Sequence, residues 1–235
     1  MTHNTDRAEV LRSLTDELAT AVGERPLRVA VDGITAAGKS TLARELHKIL
    51  TQLGRTTIHL SMDDFHQPRS LRYARGRYSA DSYYEDAYDS QALASLVLEP
   101  LGRANDRRYR RRLRDLARDE AVDESPLIAP RDAILLVDGT FLQRPALAGL
   151  WDRRIFVHTG FELALERAVR RDSALLGGED EARRLYIERY HAACRRYLDE
   201  VRPQETATFV LVNDDPMHPR LLRAASAGKG EFGGT

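Results

Sequence analysis

The chain has 235 residues, of which 42% are hydrophobic and 31% are charged. This length suits one α/β domain, and the apolar content supports a sizeable core and argues against disorder through the main body. Lysine plus arginine equals aspartate plus glutamate at 36 each, so bulk charge singles out neither a nucleic-acid nor a membrane partner. A single cysteine excludes an intramolecular disulfide framework, and no apolar run approaches the roughly 20 residues that span a bilayer. We therefore expect a cytoplasmic protein.

Hydrophobic periodicity predicts alternating helices and strands in the first part of the chain. A helix is predicted from Thr5 to Val22, and a short buried strand follows at Leu27–Val31. A glycine-bearing turn then leads to a helix at Thr41–Leu53, closed by Gly54, and to a second strand at Thr56–Ser61.

The middle of the chain is less regular. The stretch Gln67–Tyr88 is polar and tyrosine-rich, and a long irregular segment inside a compact domain indicates a functional role. A short helix is predicted at Gln91–Leu98, whereas the charged stretch Arg103–Arg118 fits either a helix or a protruding hairpin. The apolar run Ala133–Val137 is typical of a central parallel strand.

The last third again alternates between strand and helix. The predicted elements are a strand at Ile155–Val157, a helix at Glu162–Arg171, a mobile segment at Ser173–Asp180, a long helix at Glu181–Val201 and a last strand at Thr208–Val212. Together these patterns predict a three-layer α/β/α domain with a mainly parallel central sheet over residues 1–223, followed by a flexible tail at 224–235.

The stretch Gly33–Ser40 matches the pattern G-x-x-x-x-G-K-[ST] between a predicted strand and a predicted helix. Its glycines allow a tight turn whose backbone N–H groups point at phosphate oxygens, assisted by the positive end of the helix. Lys39 is expected to reach the β- and γ-phosphates, and the Ser40 hydroxyl to ligate Mg²⁺. We therefore expect ATP and Mg²⁺, with nucleotide contacts from Gly33, Thr35, Ala36, Ala37, Gly38, Lys39, Ser40 and Thr41.

Carboxylates follow two of the predicted strands. Asp63 and Asp64 lie just past the second strand, where one could accept the proton of an attacking hydroxyl and the other could hold Mg²⁺ through water. Asp138 closes the apolar run before Gly139, which is the placement of an acid that organises Mg²⁺. These acids favour a kinase that phosphorylates a small-molecule hydroxyl.

Three arginines, Arg167, Arg170 and Arg171, lie on one predicted helix just before the glycine-containing segment. Arginines beside a mobile lid can neutralise the charge that develops during phosphoryl transfer. We expect at most two of the three to touch ATP.

Several stretches together resemble the uridine kinases, within the larger group that includes phosphoribulokinase and pantothenate kinase. In the family order they are Val31–Thr41, Ser61–Phe65, Ala87–Asp89, Val137–Phe141 and Leu165–Asp172. The resemblance implies a P-loop kinase domain with an acceptor-side insertion at 62–118 and a lid at 172–184.

By this resemblance the acceptor is a pyrimidine nucleoside, phosphorylated on the 5′-hydroxyl of uridine or cytidine. Asp63 is then the general base, Lys39 and Arg171 complete the catalytic set, and Arg167 and Arg171 bind ATP from the lid. The implied acceptor contacts are Asp63, His66, Asp81, Tyr83 and Tyr84, and the implied Mg²⁺ ligands are Ser40 and Asp138.

The chain departs from the family pattern mainly on the acceptor side. The family usually has Phe-Asp-His-Pro before its Ala-Phe-Asp stretch, with the aspartate holding the ribose hydroxyls; here residues 79–86 differ, and Asp81 is the candidate for that role. His66 stands where tyrosine is common, Asp138 stands where glutamate is usual, and Ser173–Asp180 lacks the expected lid arginine.

Two other functions stay open. One is a P-loop kinase with a non-nucleoside acceptor, such as pantothenate, a sugar or a natural product. The other is an NTPase that binds nucleic acid through the arginine-rich run 107–114, although acidic neighbours favour a salt-bridged face there. No membrane partner is expected, and a homo-oligomer is compatible with the resemblance.

Overall fold

The computed structural model describes residues 6–21, 23–102 and 105–223. In chain order its strands are β1 (Leu27–Gly33), β2 (Thr57–Ser61), β3 (Arg108–Tyr109), β4 (Arg114–Asp115), β5 (Glu120–Ala121), β6 (Leu127–Ile128), β7 (Ile134–Gly139), β8 (Arg153–His158), β9 (Phe209–Val212) and β10 (Arg220–Arg223). Six of them form the central sheet, in the order β10-β9-β8-β1-β7-β2. Only the β9–β10 pair is antiparallel, so the predicted mainly parallel sheet is confirmed.

The neighbouring interior strands β1 and β7 are buried along their whole length, as expected for apolar strands covered on both faces. In the parallel register Asp138 at the end of β7 pairs with Val31 of β1 on one side and with Ser61 of β2 on the other. The carboxyl ends of these three strands therefore meet at one edge of the sheet, where open parallel sheets bind ligands.

Helices cover both faces of the sheet. They are α1 (Arg7–Thr20), α2 (Lys39–Gln52), α3 (Arg69–Arg72), α4 (Ala80–Asp86), α5 (Ser90–Leu93), α6 (Pro145–Ala148), α7 (Phe161–Leu176), α8 (Glu179–Leu185), α9 (Ala192–Val201) and α10 (Pro203–Thr206). Alternate β1 residues face opposite layers: Val29 and Val31 join the apolar cluster that contains Leu14 and Leu46, whereas Ala30 joins the cluster around Leu98. The predicted three-layer architecture is confirmed.

The segment between β2 and β7 contains short elements instead of a regular helical layer. The stretch predicted as irregular holds α3 and α4, and α5 continues into a wide π-helical turn at Ala94–Leu98. Two small antiparallel pairs follow, β3 with β6 and β4 with β5. Within residues 105–118 the chain therefore forms hairpin strands and not the alternative helix, while residues 103 and 104 lie outside the described part.

The hairpin arginines have acidic neighbours, as the sequence favoured. Arg110 lies 3.6 Å from Asp123, and Arg112 lies 2.5 Å from Glu124. Arg114 donates to the Asp119 carbonyl oxygen at 2.7 Å. The Arg110 and Arg112 contacts are surface ion pairs, as the acidic neighbours in the sequence favoured.

Other differences from the sequence predictions are local. The helix predicted to end at Arg171 continues as α7 to Leu176 and stops at Gly177. Gly177 has a φ of 100°, a left-handed conformation that is energetically unfavourable for residues with a side chain. The prediction that Thr208–Val212 is the last strand was wrong, because β10 follows it. The ends Thr5 and Val22 of the first predicted helix, and the predicted tail at 224–235, lie outside the described residues. Within the described ranges no helix is long and apolar enough to cross a membrane.

Candidate active site

The phosphate-binding pattern forms a tight loop between β1 and α2, held from the neighbouring strands. A Cβ on Gly33 would lie 2.4 Å from the Val157 carbonyl oxygen, so only glycine allows the loop this close to β8. Gly38 has φ 100° and precedes the first residue of α2. Asn213 after β9 donates its side-chain N–H to the Ala37 carbonyl oxygen at 2.8 Å. The loop is thus fixed before any ligand arrives.

Lys39 and Ser40 begin α2 and are placed at the mouth of this loop. The Lys39 ammonium group donates to the Ile34 carbonyl oxygen at 2.7 Å, inside the loop. Its burial lowers the Lys39 pKa, and the carboxylates of Asp32 and Asp138 oppose that shift. A desolvated ammonium group at this position favours an anionic ligand, because a phosphate would restore its charge balance.

Asp138 is held between two donors. The Ser40 hydroxyl donates to Asp138 Oδ2 at 2.5 Å, and His59 Nε2 on β2 donates to Asp138 Oδ1 at 2.7 Å. Burial raises the pKa of Asp138, but these hydrogen bonds outweigh burial, so the pKa lies below its usual value and the carboxylate stays ionised. The two oxygen donors of Ser40 and Asp138 match the hard ligands that Mg²⁺ prefers.

Asp63 lies on a 3₁₀ turn, Met62–Phe65, directly after β2. Its side chain is 64% exposed, and the Tyr88 hydroxyl donates to Asp63 Oδ1 at 3.3 Å. His66 Nδ1 donates to the Asp63 carbonyl oxygen at 2.8 Å, which fixes the turn. Asp64 instead faces a separate pocket that contains His59 and Glu124, so of the two adjacent acids only Asp63 faces the phosphate loop.

One cavity of about 450 Å³ joins the phosphate loop to Asp63 and the tyrosine-rich segment. It is lined by Thr35, Ala36, Gly38, Lys39, Ser40, Thr41, Arg44, Ser61, Asp63, His66, Arg72, Tyr73, Tyr83, Tyr88, Leu116, Asp138, Gly139, Thr140, Arg171, Tyr186 and Tyr190. The structure thereby brings together most of the sequence-predicted site residues. Gly33 and Ala37 shape the loop without lining this cavity.

The rings of Tyr73, Tyr83, Tyr88 and Tyr190 line the same cavity as the phosphate loop, and we call them the tyrosine wall. The hydroxyls of Tyr83 and Tyr88 lie 3.1 Å apart, and the Tyr83 and Tyr190 ring centres are 4.8 Å apart. Burial raises the pKa of Tyr83 and of Tyr88, and raises that of Tyr190 to about 12. Their hydroxyls are therefore neutral at ordinary pH and can donate or accept hydrogen bonds.

Arg171 enters the cavity from the end of α7. Its guanidinium donates to Asp172 Oδ1 at 2.8 Å and to the Tyr186 hydroxyl at 3.1 Å. The hydrogen bond to Asp172 raises the Arg171 pKa, so the group is permanently charged. Its side chain is still 61% exposed, which leaves it accessible to a ligand in the cavity.

Besides Gly33 and Ala37, three other sequence-predicted site residues lie outside the cavity. Asp81 forms an exposed ion pair with Arg196 at 3.1 Å, and the Tyr84 hydroxyl donates to Glu200 at 2.8 Å. Arg167 donates to the carbonyl oxygens of residues 213 and 214 at 3.1 and 2.8 Å, outside the cavity but beside Asn213, whose side chain binds the phosphate loop. The sequence identified the segments that contain these residues. Their side chains on α4 and α7, however, do not point into this cavity.

Other residues of the site were missed. His59 is a polar residue inside β2, and only its interruption of an apolar strand could have marked it. Asp32, fully buried below the loop, accepts hydrogen bonds from the Tyr197 hydroxyl at 2.5 Å and Gln143 at 2.9 Å. Tyr73 belongs to the tyrosine-rich stretch Gln67–Tyr88, for which the sequence indicated a functional role, whereas Tyr190 carried no distinguishing sequence signal.

Comparisons with known proteins agree with this geometry. The family model described as Phosphoribulokinase / Uridine kinase family matches residues 29–218. The chain belongs to this family. A uridine kinase from Alkaliphilus metalliredigens is 26% identical over 179 residues, which cover 76% of this chain and 79% of that relative. The protein is thus an ATP-using P-loop phosphotransferase.

Solved structures of similar fold support the architecture. A possible uridine kinase from Bacillus stearothermophilus has a TM-score of 0.69 at 21% identity, covering 86% of this chain and 97% of that one. A proposed fructose transport system kinase from Silicibacter sp. TM1040 has a TM-score of 0.67 at 23% identity, covering 83% and 95% of the two chains. At these identities the likeness concerns the fold alone.

Proposed function

We propose that this chain transfers the γ-phosphate of ATP to the 5′-hydroxyl of a pyrimidine nucleoside, uridine or cytidine. The observation that carries the proposal is the shared cavity, in which Asp63 and the tyrosine wall face Lys39 and Ser40 of the phosphate loop. A carboxylate opposite a phosphate site is the arrangement needed for transfer to a hydroxyl. The uridine kinase relative supports the choice of acceptor.

In the proposed reaction, backbone N–H groups of the loop bind the triphosphate, and Lys39 exchanges the Ile34 carbonyl for phosphate oxygens. Asp63 accepts the acceptor hydroxyl proton as the hydroxyl oxygen attacks the γ-phosphorus. The bond from the γ-phosphorus to the β–γ bridging oxygen breaks, and ADP leaves with the electron pair. Arg171 and Lys39 stabilise the negative charge that spreads over the transferring group.

Ser40 and Asp138 would hold Mg²⁺, since both offer oxygen atoms at the mouth of the loop. Bound there, the ion would supply neutralising charge to the β- and γ-phosphates. His59 keeps the Asp138 carboxylate oriented through its second oxygen.

For the acceptor we propose contacts from Asp63, His66 and Tyr83, together with Tyr88. Aromatic rings suit the stacking of a base, and their hydroxyls suit hydrogen bonds to its edge or to the ribose. Asp81 and Tyr84 face away from the cavity, so we do not propose them as acceptor contacts.

A second candidate is a non-nucleoside acceptor on the same scaffold. It is favoured by the position of Asp81, which is paired with Arg196 outside the cavity and cannot hold ribose hydroxyls from there. Release of ADP with MgATP against uridine, cytidine, other nucleosides, pantothenate and simple sugars distinguishes the two. Strong stimulation by uridine or cytidine supports the proposal, whereas stimulation by pantothenate or a sugar alone replaces it with the second candidate.

A further inference from the structure

We propose that Arg189 is a positioning residue that holds the tyrosine wall of the acceptor site in place and thereby sets acceptor affinity. This inference rests on the proposed acceptor side of the cavity. Arg189 does not line the cavity, so it acts through its neighbours and not by contact with substrate.

Arg189 is 1% exposed and comes first among the largest fully buried side chains of the described residues. Burial of a guanidinium is costly unless its donors are satisfied. Here the two Nη groups converge on one loop, residues 72–79, which we call the acceptor turn, while the buried Nε has no hydrogen-bond partner among the described residues. Nη2 donates to the Arg72 carbonyl oxygen at 2.8 Å, and Nη1 donates to that of Ser79 at 3.0 Å, with longer contacts to Gly76 and Arg77 at 3.4 Å each.

The same guanidinium packs against the rings of the wall. Its central carbon lies 4.6 Å from the ring centre of Tyr73, 5.5 Å from that of Tyr83 and 6.0 Å from that of Tyr190. All three tyrosines line the cavity. A cation at the face of an aromatic ring is attracted to it, and more strongly where water is excluded. Arg189 therefore stands behind the wall and fixes both its backbone and its rings.

The local backbone explains how Arg189 reaches this position. Residues Tyr186–His191 form a π-helical turn between α8 and α9. Such a wide turn adds a residue to the helix and is common at functional sites. Here it places Tyr190 in the cavity while its neighbour Arg189 binds the acceptor turn, so one helical segment contributes to both.

The polar contacts between α8 and the acceptor turn lie nearer the surface. Glu181 accepts from the Tyr78 hydroxyl at 2.7 Å and pairs with Arg77 at 3.3 Å, and the Arg77 side chain is 53% exposed. Exposed pairs of this kind contribute little. Arg189 is the buried link, and its loss should loosen the turn while the surface contacts remain.

The test compares Arg189→Gln and Arg189→Lys with Arg195→Gln as the matched control. Arg195 belongs to α9, and its guanidinium lies over Phe161 at 4.4 Å, away from the acceptor turn. For Arg189→Gln we expect the acceptor KM to rise about tenfold or more while the KM for ATP changes less than about twofold. The lysine variant should fall between Arg189→Gln and wild type, and the control should match wild type. The proposal would be overturned if the KM values for the acceptor and for ATP rose in parallel, or if neither KM changed.

Hydrogen exchange supplies a second readout that needs no acceptor. The amides of Gly76 and Ser79 donate within the turn, to Tyr73 at 2.9 Å and to Gly76 at 3.3 Å. In Arg189→Lys they should exchange faster than in wild type, while amides of α2 should be unchanged. Unaltered exchange in the turn would contradict the positioning role. Because this readout is independent of turnover, it also separates failure of this inference from failure of the proposed acceptor.

Gly76→Ala provides a variant on the other side of the contact, for use where Arg189→Gln does not fold. Gly76 has φ 98° with open space around its Cα, so an added methyl group strains the turn without a clash. We expect the same increase in acceptor KM with an unchanged KM for ATP. Wild-type values for both constants would overturn the proposal.

Discussion

His191 predicts how the stability of this protein depends on pH. The side chain is 1% exposed, it packs against Phe161 at 5.1 Å between ring centres, and its Nε2 atom has no hydrogen-bond partner among the described residues. Burial lowers the His191 pKa from 6.5 to about 4, because the charged form would lose its hydration. In the unfolded chain the imidazole should titrate near its usual value of about 6.5.

The direction in which stability changes with pH follows from the protons bound by the folded and unfolded states. Between these two values the unfolded state binds the proton and the folded state does not, so acidification favours unfolding. The contribution of His191 is complete above pH 6.5 and is lost as the pH falls towards about 4. The linkage relation gives a loss of about 2 kcal/mol by pH 5.

The assay is urea unfolding at pH 8, 7, 6 and 5 for wild type, His191→Gln and His218→Gln. Gln removes the titration at residue 191, so its free energy of unfolding should fall less steeply with acidification, by about 2 kcal/mol over the range. His218 is an exposed histidine beside Asp215, and its variant should keep the wild-type slope. Identical slopes for wild type and His191→Gln would exclude His191 as a source of this pH dependence.

Two further predictions concern the phosphate site. Lys39→Ala should weaken ATP binding, measured by calorimetry, and reduce phosphoryl transfer by about two orders of magnitude or more, because it removes the cation that faces the phosphates. Near-wild-type ATP affinity and transfer rate would show that the loop takes no part in the reaction. His59→Phe should raise the Mg²⁺ concentration needed for half-maximal ADP release by about 10- to 100-fold, because Asp138 loses the donor that orients it, and an unchanged Mg²⁺ dependence would show that His59 does not position this acid.

The sequence predicted the parts of the site that depend on short contiguous patterns. The phosphate loop, Asp63 and Asp138 follow strand ends, and parallel strands bring their carboxyl ends to one edge whatever the details of packing. Strand β10 was missed because its residues, Arg220–Arg223, include two charged ends and it pairs only at the sheet edge.

Side-chain direction was harder to predict. Tyr83 and Tyr84 are adjacent on α4, yet only Tyr83 lines the cavity, because neighbouring residues of a helix point about 100° apart. Arg189 and Tyr190 depend on a π-helical turn that no periodicity in the sequence indicated. Asp81 was assigned to the acceptor by its spacing from a motif, but Arg196 on α9 holds its carboxylate outside.

In the proposed reaction Asp63 takes the proton of an acceptor hydroxyl in the cavity that it shares with the phosphate loop. The most direct test measures uridine- and cytidine-dependent ADP release for wild type, Asp63→Asn and Asp64→Asn, with ATP affinity measured separately. We predict that Asp63→Asn keeps its ATP affinity while transfer falls by about two orders of magnitude or more, and that Asp64→Asn, which faces the other pocket, stays near wild type. Transfer by Asp63→Asn at the wild-type rate would exclude Asp63 as the base.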